Sequence, residues 1–312
     1  MSTTVSGRAL TYNLPNFVGE LFNLTPADTP FKNLAARNGV RRVASKVFSW
    51  QTVDNPAPAQ PEIVEGADPV YEERTRVEVH NVTQIFQYGV DISYTKLATY
   101  QQVADDATPW LGPQPVTNEL EFQQALKLDR CSEDMEVSFL TGTFQNPSDN
   151  TSGRKTRGIL TAVTSNEVDA SGDTLGKEHI DALLRKMAGN RARFLRPVIF
   201  GNAYQVQRIN ELYGFAPESR DVGGINIEVI INPLVGRMGV VYNRHMPADT
   251  LLIADMAFPR PVVTPIPGKG ELFLEPKPAT GASVRSMLYG EWGLEYGPEQ
   301  YHGKITGLDT GE

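Results

Sequence analysis

The stretch of sequence that decides the fold is Arg285–Leu308, which reads RSMLYGEWGLEYGPEQYHGKITGL. Its first half mixes aliphatic and aromatic residues at close intervals, which is typical of a β-strand. Gly297 followed by Pro298 is a turn signal, so we expect the strand to end there and a short tail to follow. Taken alone, this run predicts a strand but does not select one fold.

Five upstream segments, taken in order together with the C-terminal run, form a pattern that is more specific than the run alone. They are Thr29–Phe31, Phe48–Gln51, Glu65–Gly66, Asn81–Phe86 and Arg154–Gly158. In this order the segments resemble the major head (major capsid) proteins of tailed bacteriophages typified by phage SU10, over nearly the whole chain. The resemblance implies an α+β chain with the Hong Kong 97-like capsid fold, which has an N-terminal arm, an extended β-hairpin loop, a long spine helix, and peripheral and axial domains.

The resemblance also implies a function that depends on surfaces joining identical copies. The expected partners are the chain itself, as pentamers and hexamers of an icosahedral shell around double-stranded DNA, and separate scaffolding, portal and decoration proteins. We expect non-specific contact with the packaged DNA, no membrane contact, and assembly in the cytoplasm of a bacterial host before incorporation in the virion. The residues expected at intersubunit contacts are Phe31, Phe48, Trp50, Glu65, Phe86, Arg154 and Arg157.

Composition and charge limit the possible classes of protein. The 312 residues are 40% hydrophobic, which suffices for one large or two modest cores. The net charge of -8 does not suit a nucleic-acid reader and fits a container for DNA, although ordinary soluble acidity explains it equally well. Cys131 is the only cysteine, so no intrachain disulfide can form and folding in a reducing compartment is expected. We recognise neither a signal peptide nor an apolar run of membrane-spanning length.

The N-terminal third is predicted to contain an arm at residues 1–40 and a hairpin loop at 41–92. A short amphipathic helix is expected near Phe17 in the arm, with a disordered tail as the alternative. Val47–Val53 and Arg76–Phe86 alternate with period two around a proline-rich connection, which predicts a long antiparallel hairpin. Two strands alone are marginally stable in water, so either a neighbouring subunit or a sheet of the same chain must cover them.

The clearest helical pattern lies in the predicted peripheral domain, residues 93–175. A spine helix is expected over residues 117–141, capped by Thr117 and ended by Gly142. Its apolar stripe is expected to contain Leu120, Gln124, Leu128, Cys131, Met135 and Phe139. Cys131 on this stripe is interpreted as a buried structural residue. The basic cluster Arg154–Arg157 is compatible with a solvated face, an intersubunit ion pair or a phosphate contact.

Residues 176–264 predict a compact α/β unit, the axial domain of the resemblance, and residues 265–312 are expected to return to the peripheral domain. The expected helices are His179–Ala188 and Ala203–Tyr213, the second capped by Asn202. The expected strands are Pro197–Phe200, Ile225–Ile231, Gly239–Tyr242 and Thr250–Ala254.

No motif in the sequence indicates catalysis, and we expect no catalytic residue, metal or cofactor. The four histidines lack metal-ligand spacing, and no phosphate-binding loop or nucleophile elbow is present. Glu291 and Glu295 resemble a pair of glycosidase acids, although surface glutamates on a half-buried strand are far more common. The hairpin offers only Lys46 for a lysine cross-link, so none is expected. The alternative function is a hydrolase or binding enzyme with its site in residues 176–264.

Overall fold

A computed structural model describes residues 27–54, 58–60, 62–97, 119–149, 151–213, 219–221, 226–279 and 281–311. The helix predicted near Phe17 and the predicted cap Thr117 lie outside these residues. Within them the chain forms two larger sheets and a separate two-stranded hairpin.

The first sheet is organised around one long C-terminal strand, β13 (Ser283–Glu295). One edge of β13 pairs with β4 (Gln84–Ser93), and its other edge pairs with β12 (Leu272–Lys277) and β11 (Arg260–Val263). The short strand β1 (Arg41–Arg42) adds in parallel to β11. The stretch that decides the fold is therefore the central strand of this sheet, which explains its high content of aromatic and aliphatic residues.

The second sheet has seven strands and carries two helices on one face. Its order is β5 (Glu167–Asp169), β14 (His302–Thr306), β10 (Leu251–Asp255), β6 (Pro197–Gly201), β9 (Gly236–Tyr242), β8 (Asn226–Asn232) and β7 (Ser219–Asp221). The helices α4 (Lys177–Gly189) and α5 (Ala203–Tyr213) supply Ile180 and Ile209 to the core on that face. The Asn202 side chain accepts a hydrogen bond from the Gln205 N–H at 2.9 Å, which caps α5 as the sequence predicts.

Alternation along the buried strands separates two cores. Val198 and Phe200 of β6 face one core, whereas Ile199 between them faces the core beneath α4 and α5. The first core also contains Phe31 of α1 (Pro30–Ala36), Ile159 of α3 (Ile159–Ala162) and Leu294 of β13. It therefore joins the seven-stranded sheet to the N-terminal helix and to the end of the other sheet.

The predicted hairpin is present at the expected positions. β2 (Val47–Thr52) pairs antiparallel with β3 (Val77–Val82), with Trp50 opposite Val79. After Thr83 the chain continues directly into β4. The hairpin is thus continuous with the first sheet at this end.

The spine helix is present as α2 (Glu119–Thr141), which has 23 residues and is roughly 35 Å long. Gly142 ends it as expected, and a Cβ at this position would lie 2.3 Å from the Ser138 carbonyl oxygen. Cys131 is buried as predicted, but Leu128 is 45% exposed, so its predicted place in the core is wrong. The apolar stripe predicts which face of the helix is apolar. It does not predict which part of that face other segments of the chain cover.

The end of the chain also differs from the expectation. β13 ends at Glu295 as the turn signal predicts, with Gly297 at φ 77°. The predicted short tail is instead a short 3-10 helix, Glu299–Tyr301, followed by β14 in the seven-stranded sheet. β11, within the predicted range 176–264, belongs to the first sheet. Strand pairing thus crosses residue 264: β11 precedes it and pairs in the first sheet, and β14 follows it and pairs in the seven-stranded sheet. The domain ranges 176–264 and 265–312 remain a prediction.

Candidate assembly surfaces

The connection between β2 and β3, residues 53–76, is the most exposed apolar surface in the part of the chain that the structure describes. We call it the hairpin loop. Ile63, Val64, Val70 and Tyr71 have 75%, 79%, 86% and 89% of their surface in contact with solvent. Full burial of one such side chain against a partner would be favourable by about 1.5–3 kcal/mol. Several large apolar side chains exposed within one loop are typical of an interaction surface.

The tip of the hairpin loop contains Glu65 in a defined turn. The Ala67 N–H donates to the Val64 carbonyl oxygen at 3.0 Å, and Gly66 has φ 85°. A turn with positive φ at its third residue strongly favours glycine. The Glu65–Gly66 segment of the resemblance therefore forms the turn that presents Glu65 and its apolar neighbours to solvent.

The root of the hairpin is fixed to its own chain by aromatic contacts. The Trp50 indole N–H donates to the Gly297 carbonyl oxygen at 3.1 Å, and the Trp50 and Tyr296 rings meet edge to face with centroids 4.9 Å apart. Phe48 stacks on Trp50 at 6.2 Å and is 4% exposed. These contacts hold the hairpin strands against the end of β13, so the loop projects from a stable base.

Three residues predicted at intersubunit contacts are buried in their own chain. Phe31, Phe48 and Phe86 are 0%, 4% and 3% exposed. Phe31 packs edge to face on Phe200 at 5.4 Å, and Phe86 packs among Cys131, Met135 and Leu288. Their predicted role as surface contacts is therefore corrected: these aromatic side chains complete intrachain cores, which equally avoids the cost of leaving them in water.

The basic cluster also finds its partners within the chain. The Arg154 guanidinium pairs with Glu291 at 3.2 Å. The Arg157 guanidinium lies 4.6 Å from the centre of the Phe144 ring, and its backbone N–H donates to Asn81 at 2.8 Å. Of the three interpretations left open by the sequence, an ion pair is formed, but within one chain. Arg154 and Arg157 hold the segment after α2 against the first sheet.

The two acids of β13 that resemble a catalytic pair are ion-paired. Glu295 accepts hydrogen bonds from Arg41 at 2.7 Å and from Arg260 at 2.8 Å, while Glu291 accepts from Arg154 and from the Tyr289 hydroxyl at 2.7 Å. Each carboxylate thus connects separate segments to the sheet. Both have the geometry of structural ion pairs.

A groove of about 810 Å³ lies beside the root of the hairpin. Its lining includes Thr52 and Val79 of the hairpin, Phe144 and Arg157 of the segment after α2, and the turn at residues 296–300. It is open to solvent, and its lining combines aromatic, hydroxyl and guanidinium groups.

A buried carboxylate that the sequence analysis missed joins three segments of the chain. The Glu136 carboxylate is fully buried and accepts hydrogen bonds from the Phe31 and Lys32 backbone N–H groups at 2.8 and 2.7 Å, and from the Asn243 side-chain amide at 2.6 Å. Burial raises the pKa of Glu136 to about 7, although the hydrogen bonds and the nearby Lys32 charge act in the opposite direction. In the sequence Glu136 is one acid among many, and only the tertiary contacts distinguish it.

The remaining reactive side chains occupy structural positions. His302 is fully buried, and burial lowers its pKa. Its Nδ1 accepts a hydrogen bond from the Asp255 N–H at 3.2 Å, and its Nε2 donates to the Tyr296 carbonyl oxygen at 2.7 Å. Burial raises the pKa of the Cys131 thiol to about 11. Among the residues that the structure describes, no cluster of three or more His, Cys, Asp or Glu could hold a metal ion. The helices within those ranges are too short or too polar to span a membrane.

Comparison with known proteins identifies the family. A family model described as SU10 major capsid protein matches residues 4–309. No curated protein matches the sequence significantly. The alternative of a hydrolase or binding enzyme in residues 176–264 has no support in the family match, because a capsid family implies a structural role.

Solved structures give the same fold. The capsid asymmetric unit of cyanophage A-1(L) aligns with TM-score 0.67 at 13% identity, covering 95% of this chain and 97% of that one. The capsid of a native GTA particle aligns with TM-score 0.60 at 12% identity, covering 98% and 99%. The SrpI encapsulin complex from Synechococcus elongatus PCC 7942 aligns with TM-score 0.60 at 11% identity, covering 94% of each chain. The chain has the Hong Kong 97-like capsid fold and belongs to the SU10 major capsid protein family, the shell-forming proteins of tailed bacteriophages.

Proposed function

We propose that this capsid protein assembles through its hairpin loop into pentamers and hexamers, which close into an icosahedral head around a double-stranded DNA genome. The observation that carries the proposal is the hairpin loop itself. It exposes Ile63, Val64, Val70 and Tyr71 from a rigid base, and such a surface is costly in an isolated chain. A neighbouring copy that covers these side chains removes the cost.

Repetition makes such a contact sufficient for a stable shell. Every copy presents the same loop, and a loop that inserts into a different surface of the next copy gives a head-to-tail contact, which closes into rings when the rotation allows. Because each subunit is then held by several neighbours, modest single contacts add up to high overall stability. The hairpin contains only Lys46 as a lysine and its loop contains none, so we propose a shell without lysine cross-links.

The remaining partners follow from this role. We infer that separate scaffolding, portal and decoration proteins contact the shell, and that assembly takes place in the cytoplasm of a bacterial host. The net charge of -8 favours weak, sequence-independent contact with packaged DNA, because phosphate binding requires accumulated positive charge.

Removal of residues 54–73 tests the proposal. The loop contributes little to the cores, so we expect the shortened chain to fold, as measured by circular dichroism and thermal unfolding. We expect it to form no stable shells, as measured by sedimentation and negative-stain electron microscopy beside the unchanged chain.

A length-matched control separates the loop's side chains from its reach. In this control, glycine and serine replace residues 54–73 without a change in length, and we expect the same loss of shells. Normal particles from the shortened chain would show that the hairpin loop is not an assembly element. Normal particles from the control alone would show that the length of the loop matters and its side chains do not, which contradicts the proposed contact.

A further inference from the structure

A short segment of the seven-stranded domain is strongly basic, although the chain as a whole is acidic. Residues 185–196 read RKMAGNRARFLR and contain five basic side chains and no acidic one. All five basic side chains are exposed: Arg185, Lys186, Arg191, Arg193 and Arg196. We call this stretch the basic segment. It begins in the last turn of α4 and ends at β6.

Several of these charges make hydrogen bonds with neutral oxygen atoms. The Arg185 guanidinium donates to the Asp181 carbonyl oxygen at 3.2 Å, and the Lys186 ammonium donates to the Glu167 carbonyl oxygen at 2.8 Å. The Arg196 guanidinium donates to the Asn38 side-chain oxygen. The dipole of α4 favours one or two cations in its last turn, but it does not account for Arg193 and Arg196 beyond the helix. These three contacts use neutral oxygen atoms, so they do not neutralise the charges of Arg185, Lys186 and Arg196.

The basic segment is held in a defined conformation. The Leu195 and Arg196 backbone N–H groups donate to the buried Asp255 carboxylate at 2.8 and 2.9 Å, which leaves the Leu195 side chain 62% exposed. Arg191 has φ 58°, a left-handed conformation that glycine adopts more easily. This is the usual left-handed position just after a helix, and the Ala192 N–H closes the turn by donating to the Met187 carbonyl oxygen at 2.9 Å.

The hairpin loop carries the complementary charge in a stretch of the same length. Residues 62–73 contain five acidic side chains and no basic one: Glu62, Glu65, Asp68, Glu72 and Glu73. This stretch is exposed throughout and includes the apolar side chains that have no cover. Among the described residues, the side-chain contacts of the loop stay within the hairpin, from Arg74 to Glu72 and from Arg76 to Gln51.

We propose that the basic segment is the receiving surface for residues 62–73 of the hairpin loop of a second copy of this chain. The inference rests on the proposed function and names the surface that the loop contacts. Opposite charges orient the approach and fix the register, while the exposed Leu195 side chain offers an apolar contact near the end of the segment. Because the donor and receiving surfaces differ, the contact is head-to-tail and suits a ring of identical subunits.

A charge swap tests the pairing in the full-length chain. One variant combines Arg185→Glu with Arg193→Glu, a second combines Glu65→Lys with Glu73→Lys, and a third carries all four substitutions. All four side chains are exposed, so each variant should fold, as thermal unfolding will verify. We expect each double variant to lose roughly tenfold or more of its capsomer and shell yield, and the fourfold variant to recover most of it.

The control variant, Lys127→Glu with Lys155→Glu, reverses the same amount of charge elsewhere and should assemble normally. Assembly of the first two variants, or failure of the fourfold variant to recover, overturns the pairing. A basic-segment variant that assembles but no longer retains a duplex DNA fragment assigns the segment to nucleic acid and also overturns it. If the unchanged chain forms neither capsomers nor shells, the proposed function itself fails, so the two failures are distinguishable.

Discussion

The hairpin is covered at one end and exposed at the other. At its root, Phe48 and Trp50 pack against Tyr296 and the end of β13, whereas at its loop Val70 and Tyr71 remain in solvent. The same two strands connect both ends, so secondary structure does not explain the difference. The division shows which part of the hairpin the chain stabilises by itself and which part we propose a second copy covers.

The spine helix repeats this division. In the C-terminal half of α2, Met135 and Phe139 are 5% and 0% exposed, whereas Leu126 and Leu128 in the preceding turns are 37% and 45% exposed. Regular helical hydrogen bonding continues through both halves. A single long element can therefore belong partly to the core and partly to a surface, and substitutions at its two ends should have different effects.

The largest expected effect comes from charges placed in the two halves of α2. Phe139→Asp loses the burial of a phenylalanine and places an unpaired charge in the core, which together exceed about 5 kcal/mol and should prevent folding. Leu128→Asp should cost less than about 1 kcal/mol because water already reaches the side chain. Soluble yield and thermal unfolding of the two variants measure the difference. Equal tolerance of both would contradict the division of the helix.

The two ends of the hairpin should differ by a smaller amount. Phe48→Ala leaves a cavity beside Trp50 and should destabilise the folded chain by about 3–5 kcal/mol in denaturant unfolding. Tyr71→Ala, at a side chain that is 89% exposed, should change the same quantity by less than about 0.5 kcal/mol. In our proposal Tyr71→Ala instead lowers shell yield. A large loss of stability from Tyr71→Ala would show that the loop is supported by its own chain.

Local features were predictable where the sequence carries a complete local signal. The Asn202 cap preceding a helical pattern gave α5 its observed bounds, and the alternation in Val47–Val53 gave β2. Pairings between distant segments were not predictable, because their stability comes from contacts across the fold. The position of β14 beside β10 is one example. The resemblance predicted the fold class correctly, but it did not indicate that Phe31, Phe48 and Phe86 are internal.

The smallest of these effects concerns the joint between the N-terminal helix and α2, which unlike the hairpin loop is closed to water. At this joint the Glu136 carboxylate faces the Phe31 and Lys32 N–H groups of α1, the Asn243 amide and the Lys32 ammonium. Burial raises the pKa of Glu136 from 4.5 to about 7. The folded chain therefore holds this proton more tightly than the unfolded chain does. Stability from this source is fully present below pH 4.5 and is lost as the pH rises through 7.

The loss should amount to about 3 kcal/mol between these two pH values, and Glu136→Gln should abolish it because an amide does not titrate. The measurement is the free energy of unfolding of both chains from pH 4 to 8, taken as the difference between them so that other titrating groups cancel. In Glu136→Gln the new amide N–H₂ group faces the same three hydrogen-bond donors. The variant should therefore be less stable than the unchanged chain at low pH, and its free energy of unfolding should approach that of the unchanged chain above pH 7. A difference that is independent of pH would mean that Glu136 stays ionised throughout. The three hydrogen bonds from α1 and Asn243 would then outweigh burial, and the joint would hold the N-terminal helix equally well at every pH tested.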